Sequence, residues 1–250
     1  MTGDARVIVG ENSSINTDSL IIGARNSVEK EAVDGANVRS GSVGGASVST
    51  VLSSTTIGGQ ANPLGAYVDI QDGAVIEVGG NNETPGVLMI EATTVAQATD
   101  SVNVEALAGF ALTVASSQIS SNTESNIDIG SATLINRSGD VQIATQSDVG
   151  LRPSANLFAA AAGVAAGTAA SADSDIDNTI TIDGGTILGG QVKIQSGRNN
   201  FQVPNLISNF SNIESTTASF GPGINVGIPC LLYTSPSPRD LSTSRMPSSA

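Results

Sequence analysis

Few residue types are available for chemistry, because the chain has no histidine and a single cysteine, Cys230. The usual serine and cysteine nucleophiles need a neighbouring histidine as base, so those mechanisms are excluded. Carboxylate chemistry stays open, since paired acids with an arginine could cleave polysaccharides. Asp69, Asp72, Asp128 and Asp183 recur at similar places along the chain. The alternative interpretation is turn chemistry, because Asp beside Gly is common in turns.

A second group of carboxylates lies in the segment SADSDIDNT. Asp173, Asp175 and Asp177 alternate along the chain, which on a strand puts all three on one face. Calcium prefers oxygen ligands of this kind, so the three are candidates for a calcium site. However, an EF-hand loop would need glycine where Asn178 stands, and no Gly-Gly-x-Gly-x-Asp repeat is present. A solvated strand end is the competing interpretation, and no other cofactor is expected.

The chain is acidic, with a formal net charge of −13. Nucleic acids and anionic membranes bind clustered positive charge, so neither is expected as a partner. The longest apolar run, residues 157–172, is shorter than the roughly 20 residues that span a bilayer, which predicts no membrane insertion. The opening MTGDARVIVG lacks the basic and apolar regions of a signal peptide.

The elements that would position these residues are indicated by an internal repeat. Four stretches, 6–26, 67–94, 126–148 and 179–199, begin with two apolar residues at alternate positions and continue through turns to two further apolar steps. The second step falls at Ser14/Ile15, Val75/Ile76, Leu134/Ile135 and Ile187/Leu188. The third step ends at Ile22, Ile90, Ile143 and Ile194. The unit is therefore about fifty residues long, with an insertion in the first copy.

Small and β-branched residues, turns of Gly, Asn and Asp, and almost no helix signal predict an all-β chain. The repeat favours a solenoid over a sandwich, because each coil would stack like residues on like. We therefore expect a right-handed parallel β-helix of about ten coils, with roughly twenty residues in each. The Ala-rich stretch 157–172 could instead form a helix, but its counterparts at 38–54 and 102–120 carry the Val, Ser and Thr typical of strands.

Residues 230–250 differ in composition from the rest of the chain. Back-translated, residues 230–240 and 244–250 resemble the transposase adapter and flow-cell primer of short-read sequencing. We therefore expect residues 1–229 to be a β-helical piece of a longer protein, with four repeats of about fifty residues. Residues 230–250 are expected to be a non-native, disordered tail.

The phrase ITIDGGTILGGQVKIQSGRNN combines a Gly-Gly turn, a strand and a Ser-Gly-Arg-Asn ending, and an Ala/Ser/Val/Gly strand accompanies each unit. This pattern, over about residues 5–215, resembles the repeat region of large secreted bacterial filamentous adhesins, of the filamentous-haemagglutinin and leukotoxin-type kinds. The resemblance implies a right-handed parallel β-helix, export by an outer-membrane secretion partner, and attachment to glycans or proteins of host or neighbouring cells. The chain departs from that family in lacking the signal peptide and the N-terminal secretion domain.

These observations predict a structural and adhesive shaft segment, secreted or on the cell surface, that performs no catalysis. Two alternatives stay open. One is a β-helical polysaccharide-active enzyme or tailspike-like depolymerase that uses Asp128 or Asp183. The other is a calcium-stabilised extracellular repeat module.

Overall fold

The computed structural model describes residues 1–32, 36–79, 85–198, 205–219 and 223–233. These ranges contain fourteen strands and no helix, and hence no helix that could cross a bilayer. In chain order the strands are β1 (Gly3–Val9), β2 (Ser14–Thr17), β3 (Leu20–Lys30), β4 (Val38–Ile57), β5 (Leu64–Ile70), β6 (Val75–Val78), β7 (Leu88–Ile129), β8 (Ala132–Asn136), β9 (Val141–Ile182), β10 (Gly185–Leu188), β11 (Val192–Gln195), β12 (Leu206–Ile207), β13 (Asn212–Ser219) and β14 (Gly223–Tyr233).

The strands form one ten-stranded and one four-stranded sheet, and all the named strand pairs are parallel. The smaller sheet runs in the order β10, β8, β6, β2. The prediction of an all-β chain with parallel strands is confirmed.

The Ala-rich stretch 157–172 lies entirely within β9, so the helix alternative is wrong. Its pairing with β7 explains this outcome, because extended neighbours supply its backbone hydrogen bonds.

The register stacks like residues on like. Ile22 pairs with Ile90, Ile90 with Ile143, and Ile143 with Ile194. A second column of the same kind follows Val9, Ile70, Ile129 and Ile182. Because such columns place equal side chains directly above one another, the apolar positions of one repeat cover those of the next.

Paired residues lie 51 to 68 positions apart in the chain. Leu88, for example, pairs with Val141, 53 residues later. This register divides the chain into four layers, which we number 1 to 4: residues 3–57, 64–121, 123–174 and 176–233. The expected coil of roughly twenty residues is therefore wrong. The count of about ten coils rested on that length and has no support in this register.

One step of the repeat is shifted from the prediction. Val75 pairs with Thr133 rather than with Leu134, and Ile76 pairs with Leu134. Ile76 and Leu134 are both fully buried. The shift keeps both in the core, since a slip of one residue would turn one of them outward.

The long strands double back on themselves. In β7 the Ser117 hydroxyl donates to the Asp100 carboxylate at 3.1 Å, although the extended chain between them would span about 55 Å. In β4 the hydroxyls of Ser40 and Ser49 are 3.2 Å apart. The two halves of β4, β7 and β9 therefore face each other as two walls, which we call the arm. The walls meet at the tip of the arm, around the positions that drop out of the pairing between layers: Gly45, Gly109 and Ala162.

Opposite the tip, the strands of the smaller sheet close each layer, and we call this part the head. Its core consists mostly of Ile, Leu and Val side chains, and Ile70, Ile76, Leu88, Ile90 and Leu134 are fully buried. The core of the arm is built mainly of Ala and Val. Small side chains allow two walls to approach closely, which explains how the chain packs with few aromatic residues.

A belt of buried hydroxyl and amide groups crosses the arm close to the head. The Thr94 hydroxyl lies 2.9 Å from both the Ser125 and Ser147 hydroxyls, and the Ser147 hydroxyl donates to Asn178 at 3.0 Å. Buried polar groups are stable only with partners. This belt therefore holds the two walls opposite each other in one register.

The structure places Cys230 to Tyr233 in β14, paired with residues 171–174 of β9. These four residues belong to the tail that the composition predicts to be disordered. The remainder of that expectation, residues 234–250, lies outside the described residues.

Candidate functional site

The outer face of the wall formed by β1, β5 and the last residues of β7 and β9 presents polar side chains. On a strand the residues between buried Val and Ile point outward. Stacking of the layers then sets the outward residues above one another in columns. One column holds Arg6, Tyr67, Asn126 and Thr179, and the next holds Asp4, Gly65, Glu124 and Asp177.

Tyr67 lies at the centre of this face. Its hydroxyl donates to the Glu124 carboxylate at 2.9 Å, and the Arg6 guanidinium lies 5.0 Å from the centre of its ring, a cation–π distance. Glu124 also accepts a hydrogen bond from the Asn126 amide. Gly65 provides the space for the ring, because a Cβ at that position would overlap it. The ring is thus fixed over Gly65 and toward Glu124.

The pKa of the Tyr67 hydroxyl is raised above its usual value. Burial of the side chain is the largest cause, and the hydrogen bond to Glu124 is the next. The negative charges of Glu124 and Asp4 raise the pKa further, whereas the positive charge of Arg6 lowers it. At neutral pH the hydroxyl is therefore protonated and acts as a hydrogen-bond donor.

A cleft opens beside Tyr67, where the loop after β4 meets the start of the chain. It is lined by Thr2, Asp4, Asn62, Pro63, Tyr67 and Glu124. Carboxylate and amide oxygens accept hydrogen bonds from hydroxyl and ammonium groups, and the aromatic ring offers an apolar surface. The two carboxylates outnumber the single arginine, so the cleft disfavours anionic ligands.

The four aspartates considered for carboxylate chemistry do not converge. Asp69 and Asp128 pair in adjacent layers on the outer face, but the next residue in that column is Thr181 rather than Asp183. Asp72 accepts a hydrogen bond from a backbone amide of the next layer at 2.7 Å, as turn chemistry predicts. Asp183 is exposed just after β9. The structure thus brings together two of the four.

Asp173, Asp175 and Asp177 lie at alternate positions on the outer face of β9, as their spacing predicts. Asp177 accepts a hydrogen bond from the Thr179 hydroxyl at 2.9 Å and lies opposite Glu124 in the preceding layer. Within the described ranges, no three His, Cys, Asp or Glu side chains are grouped so that they could hold a metal ion.

Sequence reasoning missed Arg6, Tyr67 and Glu124. A signal was present, since Arg6 and Tyr67 each precede the first apolar residue of a repeat, Val7 and Val68. Comparing these outward positions between repeats would have placed them in one column. The bond from Tyr67 to Glu124 joins two columns, however, and depends on the tilt of the ring over Gly65, which no spacing indicates.

No protein-family model, curated protein or solved structure matches this chain.

Proposed function

We propose that the chain is a structural and adhesive segment of a secreted or cell-surface filament, built as a right-handed parallel β-helix of about four turns. The observation that supports this most directly is the stacking of the same Val and Ile positions through successive layers. Such stacking lets one layer be added to another with little change in the core. Parallel crossovers are right-handed as a rule, which is the ground for the proposed hand.

The resemblance to filamentous adhesins adds the cellular setting to this proposal. Export through an outer-membrane secretion partner and attachment to a host or neighbouring cell belong to it. The acidic outer faces suit an exported segment, since a net charge far from zero keeps a protein soluble.

The cleft beside Tyr67 is the surface we assign to adhesion. A sugar presents hydroxyl groups around an apolar ring face, and the cleft offers carboxylate and amide acceptors next to an aromatic ring. Because Asp4 and Glu124 repel negative charge, we assign neutral or amino-bearing glycans as its ligands, not sialylated or sulfated ones.

Binding of the full chain to immobilised glycans tests this assignment. We expect millimolar to micromolar binding of neutral or amino sugars, and at least about a fivefold loss in Tyr67→Ala and Glu124→Gln, since each substitution removes a contact group. Gln97→Ala is the matched control, because Gln97 is exposed on the opposite wall of the arm. Binding that is equal in all three variants, or that prefers sialylated glycans, would contradict the assignment.

The polysaccharide-active alternative is supported by one observation, the pairing of Asp69 with Asp128 in adjacent layers. It predicts cleavage of a polysaccharide that is lost in both Asp69→Asn and Asp128→Asn. Cleavage with that dependence would replace the adhesive proposal with an enzymatic one. Glycan binding without cleavage would support adhesion.

A further inference from the structure

The tip of the arm carries an exposed apolar surface, far from the cleft. Val48, Phe110 and Leu112 are 76%, 68% and 49% exposed. The register sets Val48, Leu112, Ala165 and Ile224 in one outward column that crosses all four layers. Single exposed apolar residues are normal on a protein surface, but a contiguous column of them indicates an interaction site.

The surface around Phe110 has the shape of a knob beside a groove. The residues above and below Phe110 in the stack are small, Ala46 and Gly163. The groove beside the ring continues along Val48, Leu112 and Ala165. A two-fold axis would set the ring of one copy into the groove of another and the reverse, since a two-fold interface uses the same patch on both partners.

The distribution of charge indicates what covers this surface. The residues around the tip, 40–50, 106–114 and 159–167, contain no Asp, Glu, Lys or Arg, and on one wall the uncharged run continues to residues 57, 123 and 172, although the chain has a net charge of −13. Two copies that met through their acidic faces would repel each other. Contact from tip to tip keeps the carboxylates of the two copies apart. A strongly charged partner protein would find no complementary charge here.

We propose that the tip is a homodimer interface, in which Phe110 of each copy lies in the groove beside Gly163 of the other. The contact area is small: the three layers that carry Ala46, Phe110 and Gly163, by about six residues, measure roughly 10 Å by 20 Å on each wall. A standard interface buries about 800 Å² per partner. Association is therefore weak, with a dissociation constant of roughly 10 µM to 1 mM. Added salt strengthens it, because salt screens repulsion between the acidic copies.

Sedimentation equilibrium of the full chain, from about 10 µM to 1 mM and at low and high NaCl, measures this association. We expect the average mass to rise with concentration, and to rise further in high salt. Phe110→Ser and Leu112→Ser should each weaken dimerisation at least about tenfold, because a two-fold contact loses the side chain twice. Both side chains point outward, so thermal melting of the variants should match that of the wild type.

Ile21→Ser is the matched control, since Ile21 is 65% exposed but lies in the head. A monomer mass at every concentration and salt would overturn the proposal, as would an equal loss of association in Ile21→Ser. If instead the chain stays monomeric and Phe110 is required for binding to neutral phosphatidylcholine vesicles, the tip is a lipid contact and the proposal is also wrong. The glycan assay tests the cleft beside Tyr67, which lies at the other end of the layers from the tip. The adhesion proposal and the dimer proposal can therefore fail independently of each other.

Discussion

Asp100 is fully excluded from solvent, in the core of the arm. Its carboxylate accepts hydrogen bonds from Ser53 at 2.9 Å and Ser117 at 3.1 Å, and the Lys30 ammonium lies 3.4 Å away. Lys30 and Ser53 belong to layer 1, Asp100 and Ser117 to layer 2. The group thus joins two layers and two walls at one point. A buried charge is costly unless it is paired and hydrogen-bonded, so other registers at this position are disfavoured.

Replacing Asp100 should therefore be among the most destabilising single changes in the arm. We expect Asp100→Ala to lower the free energy of unfolding by about 2 to 4 kcal/mol, because the Ser53 hydroxyl, the Ser117 hydroxyl and the Lys30 ammonium each lose a carboxylate acceptor at a largely buried position. Asp100→Asn keeps the shape and one acceptor and should cost less. Urea denaturation measures both.

Asp69→Ala serves as the control, since Asp69 is a partly exposed carboxylate on the outer face. We expect it to change the free energy of unfolding by less than about 0.5 kcal/mol. Equal effects of the Asp69 and Asp100 substitutions would show that the buried group does not fix the register.

At the scale of the strands, much of the fold could be predicted because side chains alternate with a period of two. The Val and Ile steps of each repeat identified the strands of the head, and like positions paired between layers. The length of a layer could not be obtained in this way. Three apolar steps within about twenty residues resemble one complete coil. In the structure, however, the chain runs out along one wall of the arm and back along the other before the next layer begins.

The reversals at the tip had a turn signal in only two of three layers. Two of them lie at glycine, Gly45 and Gly109, but the third lies at Ala162 within the run FAAAAGV. Turn chemistry would not place a reversal there. The reversal in layer 3 lies directly on the reversal in layer 2, as the pairing of Ala108 with Ala161 and of Phe110 with Gly163 shows. The candidate site was missed for a related reason, since Tyr67 and Glu124 belong to different layers.

One glycine is required where β4 joins β5. Gly58 has a φ of +65°, a left-handed conformation, and a Cβ there would overlap the Asn122 carbonyl and the Leu64 amide nitrogen. Its own amide donates to the Met1 carbonyl at 2.7 Å. The chain steps from layer 1 to layer 2 at this position, so it cannot relax without moving both layers.

We expect Gly58→Ala to destabilise the fold by about 2 kcal/mol or more, which lowers the melting temperature by about 4 to 8 °C. Gly59→Ala is the matched control, because a Cβ there has no neighbour within 4 Å. Its melting temperature should stay within about 1 °C of the wild type. Equal melting temperatures of Gly58→Ala and Gly59→Ala would contradict this prediction.

At the scale of the whole molecule, the register makes a whole layer the natural unit of insertion and loss. Residues 89–141 span 53 positions, the offset that separates β7 from β9. Deleting them would let Leu88 continue into the strand that previously lay above it. Residues 64–88 of layer 2 would run on into residues 142–174 of layer 3, so most of layer 1 would stack on the former layer 3 with inward residues still inward.

Such a deletion should leave a folded, cooperative protein with one layer fewer. Deleting one residue less, 90–141, should not, since it shifts β9 by one position and turns its buried face outward. Thermal unfolding followed by circular dichroism distinguishes the two: we expect a sharp transition for the first and none for the second. Similar behaviour of both deletions would contradict the importance of the register.

The length of a layer also sets how far a filament of this kind could reach and how it would bend. Successive layers are offset by 51 to 68 residues, and each layer adds only about 4.8 Å along the stacking axis. Reaching 100 Å would therefore take about twenty layers and roughly a thousand residues. The arm makes the cross-section many times wider in one direction than in the other. A filament stacked from such layers would be a ribbon, compliant across its thin direction and resistant to bending in the plane of the arm.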